Sequence, residues 1–356
     1  MKFSKVKILV SLFIGMVIFI SCKRYTDEFY GPGLGVAPVD FTASALTVSD
    51  NTPDFSAGKI NFICSMSATV RWTLTLTGES SGAVKIIQGL SKEIDASNGQ
   101  WDGSTDTTRL FRKNETVTAV LTVLGWEEST STTLTISVEK DHGYVIGTFD
   151  NITVNQLSAN WQDPNPPAGS GYWWFFSFET NEKDVVDKVA DPETPQGTHA
   201  LHMVGHDANT SYYIGQSGLS APAGVFNFGT VTLNDFYFNL YVKGSGSDAS
   251  KDYKLVIQSF EDDNSSGTIQ YDGTEDKYIY PISLKYDGWK LFRIKYSDFV
   301  LDAAAAASTY KSHTPERIAN IGFFFGANTS AGLSSSALID VKMDYFTITT
   351  NGPMVP

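Results

Sequence analysis

The apolar residues of this 356-residue chain recur in short alternating runs from Val39 onward, and no stretch between Val39 and Val138 carries a 3.6-residue period. KINFICSM, TVRWTLTLT, VKIIQG, ETVTAVLTVLG and STTLTISVE are rich in Thr, Val and Ile, whose branched side chains suit a pleated surface. Gly78-Glu79-Ser80-Ser81-Gly82 and Ser97-Asn98-Gly99 separate them as turns. Residues 39–140 are therefore expected to form a β-sandwich, with Trp72, two residues from Val70 and from Leu74, in its core. Trp101 and Trp126 lie beside turns, and alternation does not assign them. The polar stretch Glu139 to Gly143 reads as a boundary, and a second domain follows over 144–350. Its runs, YWWFFSFE, DFYFNLYVKG, YKLVIQSFE, KYIYPISL, WKLFRIKYSDF, IANIGFFFGAN and ALIDVKMDYFTITT, read as strands at jelly-roll spacing. Single helical turns are expected at Thr314-Pro315-Glu316 and within Asp302 to Ser308, and the fold class is all-β.

The first 22 residues, MKFSKVKILVSLFIGMVIFISC, stand apart. Lys2, Lys5 and Lys7 precede an apolar run from Ile8 to Ile20 that is shorter than the ~20 residues a bilayer span needs and suits a signal peptide. Cys22, after that run and a small residue, resembles the lipobox cysteine of bacterial lipoproteins. The resemblance implies cleavage after residue 21 and lipidation of Cys22; an ordinary secretory signal or membrane anchor with an incidental cysteine is the other reading. Residues 22–38, with Gly31, Pro32, Gly33, Gly35 and Pro38, read as a flexible stalk. Asp27 and Glu28 resemble the early acidic residues that send some lipoproteins to the outer face. With Cys22 lipidated, Cys64 has no disulfide partner, and its strand-like surroundings make it a buried, inert thiol. A formal net charge of −13 opposes binding to nucleic acid or to an anionic membrane, which needs a basic surface.

Residues 39–140 resemble the Ig-like or PKD-like spacers of surface lipoproteins. In the second domain, Asp287-Gly288-Trp289 leads into a strand ending Tyr296-Ser297-Asp298-Phe299, followed by Ile318-Ala319-Asn320-Ile321-Gly322-Phe323, Ile339-Asp340-Val341 and Asp344-Tyr345-Phe346. Over about residues 196–350 these motifs resemble carbohydrate-binding jelly rolls with a galactose-binding-like fold. The whole layout resembles the surface glycan-binding lipoproteins of Bacteroidetes polysaccharide-utilisation systems. It implies an outer-membrane lipoprotein, exposed at the cell surface, that binds a polysaccharide or oligosaccharide, next to a glycan transporter and with no required cofactor. The jelly rolls it resembles often hold a structural Ca²⁺, for which Glu179 and Asp340 are the nearest matches. Residues 151–171 have no counterpart in the resemblance.

Strand alternation sorts the second domain's residues into faces. In DFYFNLYVK, Phe236, Phe238, Leu240 and Val242 oppose Tyr237, Asn239, Tyr241 and Lys243. Leu255, Ile257 and Ser259 oppose Lys254, Val256 and Gln258; Phe292 and Ile294 oppose Leu291, Arg293 and Lys295; Ile321, Phe323 and Phe325 oppose Phe324 and Asn328. One face is apolar and the other collects the flat rings and planar polar groups that sugars contact, although a sheet solvated on one side is polar in any case. Tyr237 and Tyr241 are expected to stack on sugar rings, and Asn239, Gln258, Arg293 and Asn328 to pair with hydroxyls. In YWWFFSFE, Tyr172, Trp174, Phe176 and Phe178 are assigned to the core, and Trp173, with Phe175, Ser177 and Glu179, to the mixed face as a third stacking residue, with core burial of both tryptophans as the other reading. Trp161 is placed in a Pro-rich loop, as a ligand lid or a loop anchor.

His199, His202 and His206 do not close a tetrahedral metal site from an extended strand. The acidic stretches Glu261 to Asn264 and Asp272 to Asp276 read as solvated hairpin tips. A glycosidase would set two carboxylates ~5–9 Å apart across a cleft, and neither that arrangement nor a nucleophile elbow, metalloprotease helix or phosphate loop stands out in this sequence. The expectation is non-catalytic glycan binding. A surface adhesin that binds protein, and a jelly-roll hydrolase or lyase, remain the alternatives.

Overall fold

The structure is a computed structural model that describes residues 35–56, 58–150, 160–162, 172–177, 185–206, 215–220, 226, 228–244, 246, 253–267, 269–327 and 338–356. Cys22 and its signal segment, Glu179 and Asn328 lie outside the described residues. The chain is all-β.

The N-terminal unit contains β1 (Thr47–Val48), β2 (Ile60–Gly78), β3 (Val84–Ile94), β4 (Gln100–Trp101), β5 (Thr116–Val123) and β6 (Ser129–Thr135). Its strand order is β1-β2-β5-β6, with β3 and β4 also paired to β2, all antiparallel. β1 and β4 pair along the start of β2 and β5 along its end, while β3 pairs on both sides of a register shift between Ser65 and Val70. Phe62, Cys64, Met66, Val70, Trp72, Leu74 and Leu76 are all buried, as period-2 alternation requires of one inward face. Trp72 donates its indole N–H to Ser91 Oγ at 2.9 Å. Its ring fills the space over Gly89, where a Cβ would lie 2.2 Å from the ring. Trp101 is also buried, edge-on between Phe55 and Phe111. Burial pushes the Cys64 thiol upward, against weaker hydrogen bonds from Ser44, which agrees with an inert role.

The rest of the chain forms two facing sheets. Its strands are β7 (Tyr144–Gly147), β8 (Asn160–Gln162), β9 (Tyr172–Ser177), β10 (Val185–Ala190), β11 (His199–His206), β12 (Gly215–Ser220) and β13 (Tyr237–Lys243). They continue with β14 (Tyr253–Glu261), β15 (Lys277–Ser283), β16 (Trp289–Lys295), β17 (Val300–Leu301), β18 (Ile318–Ala327) and β19 (Leu338–Thr349). One sheet runs β10-β11-β19-β13-β16, with β7 on β19; the other runs β17-β15-β14-β18-β12-β9-β8. Phe238, Leu240, Val242, Ile294, Val341 and Met343 of the first sheet meet Leu255, Ile257, Ile282, Ile321 and Phe323 of the second in one core. Single 3-10 turns occur at Ala303–Ala305, capped by the Asp302 side chain, and at Pro315–Arg317, with Pro at its start. Trp161 lies in β8, paired with Phe175, rather than in a loop.

The N-terminal unit seats on the outer face of the first sheet. Leu110 packs with Tyr241, Tyr345 and Met354, flanked by Trp289 and Leu291. Leu110 N donates to Pro195 O at 2.8 Å, and Thr105 N donates to Pro356 O at 3.0 Å. His142 Nδ1 pairs with Tyr345 Oη at 3.2 Å, and burial, aided by Lys140, pushes its imidazole down to about 4, so it is neutral there near pH 7. The C-terminal segment lies along the same face, where Met354 N donates to Asn239 Oδ1 at 3.1 Å.

Candidate functional site

The expected ligand residues do not form one site, because the sandwich divides them. Tyr237, Asn239, Tyr241 and Arg293 belong to the outer face of the first sheet; Gln258 belongs to the outer face of the second, a sheet spacing of ~10 Å away. Asn239 and Tyr241 were expected on an open face, and the structure buries both, at 0% and 1% exposure. Asn239 spends its amide on Thr349 Oγ1 and on Met354 N, and Tyr241 sits under Leu110. The reason is non-local: β13 does present a polar face, and the N-terminal unit and the C-terminal segment cover it. Tyr237 is half-buried and Arg293 is exposed on the same face. The carboxylate of Asp340, expected as a calcium ligand, receives His202 Nε2 at 3.0 Å, and that bond holds it below its ordinary pKa.

The outer face of the second sheet has a different design. Cross-strand pairing sets three rows over β9, β12, β18, β14 and β15. The middle row is Trp174, Gly218, Gly322, Gln258 and Ile279. On one side runs Phe176, Gln216, Phe324, Val256 and Pro281; on the other, Tyr172, Ser220, Asn320, Phe260 and Lys277. Gly218 and Gly322 stand side by side in the middle row, and Gln258 lies over the second: Gly322 is buried, and a Cβ there would stand 3.3 Å from Gln258 Oε1. Trp173, expected on the mixed face, instead pairs with Leu219, which pairs with the core residue Ile321. Trp174, not Trp173, stands in the row of Gln258. Nothing polar interrupts YWWFF, so alternation inside it cannot choose a phase; only the pairing with β12 does.

At the β14–β15 end of this face lies a trough, a pocket of about 360 Å³ lined by Gln258, Phe260, Tyr271, Lys277 and Phe324, among others. Tyr271 is 68% exposed, sets its ring edge-on to Phe260 at 5.3 Å and receives Asn320 Nδ2 on its hydroxyl at 2.7 Å. Lys277 lies over the rings of Phe260 and Phe324 at 5.4 and 5.6 Å and is ion-paired with Asp302 at 2.6 Å. Sequence reasoning singled out Gln258 here but passed over Phe260, Tyr271 and Phe324. The phase of β14 already placed Phe260 two residues from Gln258, and that was the signal available. Tyr271 comes from a loop, which alternation cannot place.

That loop is built on carboxylates. Asp262 accepts the amides of Ser266 and Gly267, Glu275 accepts that of Gln270, and Asp263 accepts that of Asp276. The acidic stretches expected at solvated tips are therefore largely internal: Glu261, Asp262, Asp263, Glu275 and Asp276 are all buried. Oxygens of Glu261, Asp263 and Asp276 lie within 4.8 Å of one another. They take donors from Tyr296 Oη and Thr314 N on Glu261, Ser312 Oγ and Arg317 on Asp263, and Tyr278 Oη, Ser308 Oγ and Ser312 N on Asp276. Burial, reinforced by Asp263 and Asp276, pushes the Glu261 carboxyl up to about 8, so it carries a proton at neutral pH. The donors satisfy the carboxylates and fasten the 308–317 segment to the loop that carries Tyr271.

No protein-family model matches the chain, and no curated protein matches it. Among solved structures, it is similar to the surface glycan-binding protein PbSGBP-B from Prevotella bryantii, at 13% identity and a TM-score of 0.31, over 87% of this chain and 77% of that one. It is also similar to the N-terminal tandem carbohydrate-binding modules of Xyn10C from Paenibacillus barcinonensis, at 9% identity and a TM-score of 0.31, over 88% and 93%. A candidate glycoside hydrolase from Bacteroides thetaiotaomicron gives 11% identity and a TM-score of 0.33, over 87% and 97%.

Proposed function

We propose that the chain binds a polysaccharide or oligosaccharide without cleaving it, in the trough on the outer face of the second sheet. The observation that carries this reading is the pocket in which the rings of Phe260, Tyr271 and Phe324 stand around the amides of Gln258 and Gln270. The rings supply flat apolar area for C–H faces, and the amides supply donors and acceptors for hydroxyls. The proposal includes lipidation at Cys22, with residues 22–38 as a stalk, display on the outer membrane and work beside a glycan transporter. The occluded face of the first sheet supports a rigid arrangement in which the N-terminal unit holds the trough outward.

Affinity electrophoresis against a polysaccharide panel tests the reading. At least one polysaccharide should retard the protein, and Tyr271→Ala should cut that retardation at least fivefold while leaving the thermal midpoint within a few degrees. Shortened product chains would instead mark a hydrolase or lyase. A protein that no polysaccharide retards would sink the proposal in favour of protein adhesion.

A further inference from the structure

Resting on the glycan-binding reading, we infer that the trough selects uncharged sugars and rejects uronates. The basis is the charge inventory of its deep end. Among the described residues lining the pocket, Lys277 is the sole cation, and Glu275 and Asp276 line the same wall. Lys277 is already engaged: its ammonium pairs with Asp302 at 2.6 Å, both side chains being less than a fifth exposed, and it rests against two aromatic rings. Behind the wall lie Asp262 and Asp263, both buried, and the guanidinium beside them, Arg317, is spent on Asp263 at 3.1 Å. Lys254 shares the outer face of β14 but stands four residues from Gln258, ~13 Å along the strand.

A sugar carboxylate or sulfate entering this pocket would lose water and meet no unpaired cation. It would also face buried carboxylates across a low-dielectric wall, where repulsion between like charges is strongest. A hydroxyl-bearing ring meets none of these costs, because Gln258, Gln270 and Tyr271 present neutral polar groups. Asp302 thus acts as a specificity residue through another group: by holding Lys277 it denies an anionic sugar its counter-ion.

The test uses the full chain in native gels containing neutral polysaccharides (xyloglucan, arabinoxylan, galactomannan, mixed-linkage β-glucan) or polyuronates (polygalacturonate, alginate). Wild-type protein should be retarded by at least one neutral polymer at least tenfold more strongly than by either polyuronate. Asp302→Asn keeps the oxygen that caps Ala304 N and releases Lys277. That variant should gain measurable retardation on a polyuronate, and the gain should weaken as salt is raised. Equal or stronger retardation of the wild type by a polyuronate overturns the inference while leaving glycan binding intact. An Asp302→Asn variant that binds neutral polymers but gains nothing on polyuronates overturns the role of Asp302. Retardation by no polymer of either class removes the glycan reading itself, and this inference with it.

Discussion

Replacing Glu261 by Gln should remove a large part of the protein's loss of stability toward alkaline pH. In the folded chain burial pushes this carboxyl up to about 8 against an ordinary value of 4.5, and Asp263 and Asp276 add to the rise. The groups facing it are Asp263 and Asp276 from the β14–β15 connection, Tyr296 after β16, and Ser312 and Thr314 from the segment before β18. Below pH 4.5 the folded and unfolded chains both hold the proton, so the group is silent. Between 4.5 and 8 the folded chain binds one proton more than the unfolded chain, and stability falls as pH rises. Above 8 the cost is complete and constant. A gap of about 3.5 pH units at ~1.4 kcal/mol each sets a ceiling of ~5 kcal/mol. Because three coupled carboxylates share the site, about half of that is expected, roughly 2–3 kcal/mol, or ~5–10 °C in thermal midpoint. A Gln amide keeps the acceptor oxygen for Tyr296 and Thr314 and donates where the acid proton would. Midpoints of wild type and Glu261→Gln, measured from pH 5 to 9, should therefore nearly coincide at pH 5 and diverge to the variant's advantage by pH 8.5. His142, pushed down to about 4, gives stability that rises from pH 4 to 6.5, but it is common to both proteins and cancels in their difference. Two curves that fall in parallel would refute the account of Glu261 as a buried, protonated carboxyl.

Three further outcomes follow from the packing. Gly322→Leu places a side chain beneath the trough, its Cβ 3.3 Å from Gln258 Oε1, and pushes that amide out of place, so polysaccharide retardation should drop at least tenfold while circular dichroism keeps the β signature. Tyr241→Phe removes a buried hydroxyl that has no hydrogen-bond partner among the described residues; urea titration should show no loss, or a gain of up to ~1 kcal/mol, and glycan retardation should not change. Gly89→Ala drives a methyl into the Trp72 ring and should cost ~3 kcal/mol or more of N-terminal stability, read by Trp fluorescence during denaturation, or prevent that unit from folding.

Period-2 alternation was enough to predict an all-β chain, to bury Trp72, and to split β13 and β14 into an apolar and a polar face, because each of these depends on residues a few positions apart. What alternation cannot contain is which polar face meets water. The face of Tyr241 and Asn239 looked as open as that of Gln258, yet Leu110, from more than a hundred residues earlier, and Met354, from the end of the chain, close it. The unpunctuated YWWFF run needed β12 to set its phase, and the acidic stretches looked solvated until the segment bearing Ser308, Ser312 and Arg317 folded over them. Gln258 and Phe324, in different strands, came to line one pocket only through the pairing of β14 with β18. Local pattern determined the faces of this protein; contacts between distant segments decided which face was left free to bind.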